Sequence, residues 1–112
     1  NISDQYAKRL NNANIVIPTA ISDVIPVWHL YVIRHKKRDS LQKYLRNNGI
    51  DTIIHYPIPI HKQLAYKELE CSSENMNLTQ GIADSILSLP MHPRLKIEEI
   101  DTIVNAIYSY NK

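Results

Sequence analysis

Apolar positions recur along this chain at two spacings, and those spacings predict where helices and strands lie. Tyr6, Leu10 and Ala13 fall on one side of a short helix that Ser3-Asp4 caps and that runs to about Asn11. Ile15-Val16-Ile17 is β-branched and stops at Pro18, so a brief extended segment and then a loop through Pro26 are expected. Val27 to Arg34, VWHLYVIR, crowds β-branched and aromatic residues together with no breaker, which predicts a strand central in its sheet. Asp39 then caps a helix with Leu41, Tyr44 and Leu45 on one face, and Asn48-Gly49 supplies its left-handed stop.

Ile50 to Tyr56 predicts a second strand, ended where Pro57 and Pro59 remove two backbone donors. Ile60 to Leu69 returns to helical spacing, with Leu64 and Leu69 as apolar anchors, and Glu70 to Asn77 is a polar loop. Leu78, Ile82 and Ile86 follow at intervals of four, with Thr79 at the start, predicting a helix to Leu87 and then a short edge strand, Ser88-Leu89-Pro90. Pro90 and Pro93 bracket a turn containing His92. Ile97, Ile100, Ile103, Val104 and Ile107 form the stripe of a last helix, whose start carries Glu98, Glu99 and Asp101 where the dipole favours negative charge. The pattern therefore predicts an α/β (α+β) sandwich of about five helices mainly on one face of a small sheet, mixed or antiparallel.

The 112 residues fit one domain, 1–112, with a modest core. The chain opens on Asn1 without an initiator Met, which is compatible with an excerpt of a longer chain or with removal of a leading segment. Thirteen basic residues stand against 11 acidic ones, and the one dense basic run, Arg34-His35-Lys36-Lys37-Arg38, reads as a solvated turn. Aromatic residues are not interleaved with it, so nucleic acid is not an expected partner. Cys71 is the single cysteine, which excludes an internal disulfide and suggests a reducing compartment. No apolar run approaches the ~20 residues that span a bilayer and no signal-peptide pattern opens the chain; a cytoplasmic location without membrane contact is expected.

The unusual segment is HYPIPIH, His55 to His61. Pro57 and Pro59 hold it extended, which lowers the entropy lost when its flanking side chains meet a ligand. Neutral imidazole and phenol can contact sugar hydroxyls or phosphate oxygens without a permanent charge. Strand-end histidines also commonly serve only to satisfy nearby carbonyls, and the residues by themselves leave both readings open. A zinc site of His55, His61 and His92 has little support, because no His-Glu-x-x-His or Cys pair accompanies it, and no metal is expected. Cys71 lies in a polar loop without an adjacent base, so no catalytic nucleophile is assigned. Gly49 and Gly81 are too far apart for a phosphate loop, and Trp28 and Tyr31 read as packing residues.

Four motifs in order, WHLYVIR (28–34), RDSLQKYLRNNGI (38–50), IHYPIPIHKQLAY (54–66) and LSLPMHP (87–93) before an amphipathic helix, give a chain that resembles the C-terminal domain of the DegT/DnrJ/EryC1/StrS aminotransferases from Ile17 to Ile107. HYPIPIH with QLAY is similar to members that aminate dTDP-linked 3-oxo-6-deoxyhexoses. The resemblance implies a fold type I homodimer. Its large domain, absent from this chain, holds pyridoxal phosphate as a Schiff base on a lysine, and L-glutamate supplies the amino group to a nucleotide-linked keto sugar for cell-surface polysaccharide or lipopolysaccharide. The chemistry is the cofactor's and the protein orients it.

Carried onto this chain, the resemblance makes His55 and Tyr56 contacts to the sugar or pyrophosphate, with His61 beside them, and gives His29 a structural hydrogen bond at the start of the central strand. Trp28 and Gln80 depart from the family's usual residues. Lys8, Lys36, Lys37, Lys43, Lys62, Lys67, Lys96 and Lys112 match no cofactor-lysine motif, so this chain alone is expected to have no catalytic or cofactor-binding residue and to be inactive. The rival reading is a stand-alone α/β interaction or regulatory module.

Overall fold

The structure is a computed structural model and describes residues 1–66, 68 and 76–112. The described elements are α1 (Ile2–Leu10), β1 (Tyr31–Arg34), α2 (Arg38–Asn47), single 3-10 turns at Ile60–Lys62 and Leu64–Tyr66, α3 (Asn77–Ala83), β2 (Ile86–Leu89) and α4 (Ile97–Tyr110).

β1 and β2 pair antiparallel with Tyr31 opposite Leu89 and Arg34 opposite Ile86. Val16 bridges to the free side of β1 at Arg34, and Ile53 bridges to the free side of β2 at Ser88. The sheet of the described residues has two strands, so β1 is not central, contrary to expectation, and each outer segment pairs at one residue only. On one side of each bridge the cause is proline. In an antiparallel ladder the next hydrogen-bonded pairs would be 18 with 32 and 51 with 90, and Pro18 and Pro90 have no N–H to give. The expected strand 50–56 is reduced to one bridge, since Pro90 bars the pair on one side of it and none forms on the other. The expected strand 27–34 shortens to Tyr31–Arg34, because β2 ends at Leu89 and leaves the earlier residues without partners. β2 is an edge strand, as expected, touched by Ile53 at one residue, but it begins at Ile86 and ends at Leu89.

Alternation along the strands puts Tyr31, Ile33, Leu87 and Leu89 on one face of the sheet. That face joins one core with Tyr6 and Leu10 of α1, Leu41 and Leu45 of α2, and Ile100, Ile103, Val104 and Ile107 of α4. The helices thus cover one face, and Val32 and Ser88 point to the other. Tyr6 donates its hydroxyl to the Pro90 carbonyl (2.8 Å) and Tyr108 donates to the Arg9 carbonyl (2.8 Å), tying α1 to the end of β2 and to α4.

Several local expectations change. Asn1 caps α1, its Oδ1 accepting from the Ser3 N–H, in place of Ser3-Asp4. Asp39 does not cap α2: it lies within the first turn, and its carboxylate accepts a hydrogen bond from Arg38 Nε (2.6 Å). The Gly49 stop is as expected. At φ +75° its N–H reaches the Arg46 carbonyl and the Ile50 N–H reaches Leu45, the paired bonds of a Schellman motif. α3 ends at Ala83 and Ile86 opens a strand, because the Ile86 backbone is taken up opposite Arg34; Leu78 is exposed. Ile60 onward forms 3-10 turns, with Leu64 at 87% exposure and so no anchor. Leu69 and the loop holding Cys71 lie outside the described residues. Among the described residues no helix is long and apolar enough to cross a membrane.

The basic run is a correction too, since His35 and Arg38 are buried. Arg38 donates to the carbonyls of Ala83 (2.9 Å) and Ile86 (3.0 Å), joining α2 to the turn between α3 and β2. The Lys37 N–H donates to His35 Nδ1 (3.0 Å), so the ring proton sits on Nε2 and is donated to Asn111 Oδ1 (3.1 Å).

Candidate functional site

His55 sits two residues beyond the Ile53 bridge, and its ring lies against Ser88 on the sheet face opposite the helices. His55 Nδ1 and Ser88 Oγ are 2.9 Å apart. Ser88 is only 4% exposed, and its backbone also exchanges two hydrogen bonds with Ile53, at 2.8 and 3.3 Å. A single buried residue therefore holds both the chain leading into His55 and the His55 ring. Tyr56 follows through a cis peptide, its ring edge-on to His55 with centroids 5.9 Å apart, and is 77% exposed. The pair offers one half-buried imidazole and one projecting phenol, which suits a polar ligand rich in oxygen.

His61 lies in the 3-10 turn Ile60–Lys62, half-buried, and makes no side-chain hydrogen bond to His55 or Tyr56. Pro57 and Pro59 lie between. His92 lines a different cavity with Asn48–Asp51, Pro90 and the first two turns of α4, so it does not meet His55 and His61. Among the described residues no three His, Cys, Asp or Glu side chains converge as a metal would need. His29 precedes β1, is exposed, and makes no side-chain hydrogen bond among the described residues; the expected structural bond is corrected. Trp28 and Tyr31 pack on each other with centroids 5.6 Å apart, as packing residues.

Pyridoxal phosphate needs a desolvated lysine to carry it. Lys8, Lys36, Lys37, Lys43, Lys62, Lys96 and Lys112 are all exposed, so the described lysines do not fit the group, and no step through it is derived from this chain.

Two tracts of the chain carry exposed apolar side chains. Ile21, Val24, Ile25 and Val27 occupy the loop between Pro18 and β1, where Ile25 is 96% exposed. Ile58 and Ile60 lie within the HYPIPIH segment, and Ile53 and Leu64 flank it. Apolar tracts of this kind mark surfaces that are covered in an assembly. Ser88 was not legible as a site residue, because only the β2 register places it under His55.

A dTDP-3-amino-3,6-dideoxy-alpha-D-galactopyranose transaminase from Aneurinibacillus thermoaerophilus is 39% identical over 97% of this chain and 30% of its own length. A dTDP-3-amino-3,4,6-trideoxy-alpha-D-glucose transaminase from Streptomyces venezuelae is 34% identical over 83% of this chain and 24% of its own. The crystal structure of S. venezuelae DesV in complex with a ketimine intermediate superposes with a TM-score of 0.93 at 30% identity, covering 99% of this chain and 30% of that one. The chain thus spans about 30% of the length of the first of these transaminases. Residues 1–108 match the model of the DegT/DnrJ/EryC1/StrS aminotransferase family, and this chain belongs to that family.

Proposed function

We propose that residues 1–112 are the C-terminal small domain of a larger pyridoxal-phosphate-dependent aminotransferase. The enzyme moves an amino group from L-glutamate to a dTDP-linked keto-6-deoxyhexose, in the cytoplasm, for cell-surface polysaccharide or lipopolysaccharide. The observation that carries this reading is the likeness, over nearly the whole chain, to a transaminase named for a dTDP-3-amino-3,6-dideoxyhexose. Pyridoxal phosphate supplies the amino-carrying chemistry when bound in the large domain.

This domain's part is on the substrate side. His55 and Tyr56 contact the sugar or pyrophosphate, and His61 borders the same segment. The exposed tracts at Ile21–Val27 and Ile53–Leu64 pack on the large domain and on the second subunit of a homodimer. The chain alone neither holds the cofactor nor transaminates.

The test begins with the coding sequence before Asn1, then with the full-length protein purified with pyridoxal phosphate. An upstream cofactor domain, Schiff-base absorbance and glutamate-dependent amination of a dTDP-keto sugar are expected. A full-length protein that binds no pyridoxal phosphate sinks the reading and favours a non-catalytic module. Amination of UDP-linked sugars only would overturn the dTDP assignment alone.

A further inference from the structure

We propose that Ser88 is a positioning residue that fixes the tautomer and ring orientation of His55, so that the neutral imidazole turns Nε2–H outward as a hydrogen-bond donor. The functional consequence rests on the reading of His55 as a substrate contact; the geometry does not.

Ser88 is buried, and its hydroxyl proton needs an acceptor. Among the described residues the one partner of Ser88 Oγ is His55 Nδ1, at 2.9 Å. Were Nδ1 the protonated nitrogen, it would donate to Oγ and leave the buried hydroxyl proton without an acceptor, which is costly away from water. The hydroxyl therefore donates to Nδ1, and the ring proton resides on Nε2. Ser88 also holds the Ile53 backbone through both its N–H and its carbonyl, which fixes the chain two residues before His55. Beyond His55, Pro57 restricts the chain on the other side. His55 then offers a donor and no acceptor, so the ligand atom it meets is an oxygen acceptor of a phosphate or a sugar, and an ammonium-bearing ligand is disfavoured there.

Two-bond proton–nitrogen correlation spectra of the 15N-histidine-labelled protein test this. His55 should show a protonated Nε2 and an Nδ1 shifted as a hydrogen-bond acceptor. In Ser88→Ala, Nδ1 should move to the position of an unbonded acceptor while the amide spectrum stays folded, and Ser88→Thr, which keeps the hydroxyl, should restore it. A protonated Nδ1 in the unaltered protein overturns the proposal without any variant. So does an Nδ1 resonance that a folded Ser88→Ala leaves unmoved.

In the full-length enzyme, Ser88→Ala should raise the sugar-nucleotide KM roughly three- to tenfold, leave the glutamate half-reaction unchanged, and be rescued by Ser88→Thr. If the spectra behave as expected but neither Ser88→Ala nor His55→Ala moves that KM, the substrate role of His55 fails while the hold of Ser88 on its ring stands.

Discussion

The rings of Tyr6 and Tyr31 stack with centroids 4.9 Å apart, yet their hydroxyls have opposite fates. Tyr6 donates to the Pro90 carbonyl, whereas the Tyr31 hydroxyl is buried with no partner among the described residues. Removing a hydroxyl that has a partner orphans that partner, and removing one that has none leaves nothing unpaired. Tyr6→Phe should therefore cost about 0.5–1.5 kcal/mol in urea unfolding, and Tyr31→Phe should be neutral or stabilising.

The same pair predicts an alkaline transition. Burial pushes the Tyr31 phenol from 10.0 up to about 12, and burial, then the charges of Tyr31 and Glu99, push Tyr6 upward as well. Both folded values lie above the unfolded one, so the unfolded chain loses these protons first as pH rises. The stability they confer is intact below pH 10; that of Tyr31 is lost as pH climbs from 10.0 through about 12, and that of Tyr6 falls over the same range and beyond it. Urea midpoints measured across that range should fall, and Tyr31→Phe should reduce the slope; a midpoint independent of pH there would contradict the burial of both phenols.

Two glycines should respond in opposite directions to the same change. Gly49 has φ +75° and nothing within 4 Å of where a Cβ would stand, so Gly49→Ala meets only backbone strain and should destabilise by about 1 kcal/mol. Gly81 lies inside α3 with open space around it and no positive φ. Gly81→Ala should stabilise by about 0.5–1 kcal/mol. Thermal unfolding of the two variants side by side checks the sign of each.

Arg38 holds two carbonyls that no other described side chain reaches, those of Ala83 and Ile86. Arg38→Ala should destabilise by roughly 1.5–3 kcal/mol, since it orphans both acceptors. Arg38→Lys should recover only part of the loss, because one ammonium replaces the two nitrogens with which Arg38 reaches Asp39 (Nε) and the pair of carbonyls (Nη1). Denaturant titration of the two variants distinguishes this from a solvated basic turn, where neither change would register.

At the proposed substrate edge, His55→Ala or Tyr56→Ala in the full-length enzyme should raise the sugar-nucleotide KM more than it alters the glutamate half-reaction. Each lost contact should cost roughly three- to tenfold. Equal effects on both half-reactions would assign the residues to folding instead.

The pattern along the chain was enough to determine α2 and α4, the stop at Gly49, and the apolar faces Leu41 with Leu45 and Ile100, Ile103, Val104 with Ile107, because spacing and backbone preference are local properties. The ordered motifs also sufficed to indicate the family. Only the tertiary structure decided which stretches became strands. Pairing requires a partner N–H at the matching register, and Pro90 withholds it from the segment around Ile53, which lies far from it in sequence. The burial of His35 and Arg38 was hidden for the same reason, as their acceptors, Asn111, Ala83 and Ile86, lie 76, 45 and 48 residues away. So was the contact of Ser88 with His55, 33 residues apart, which is set by β2 register and which no local spacing encodes.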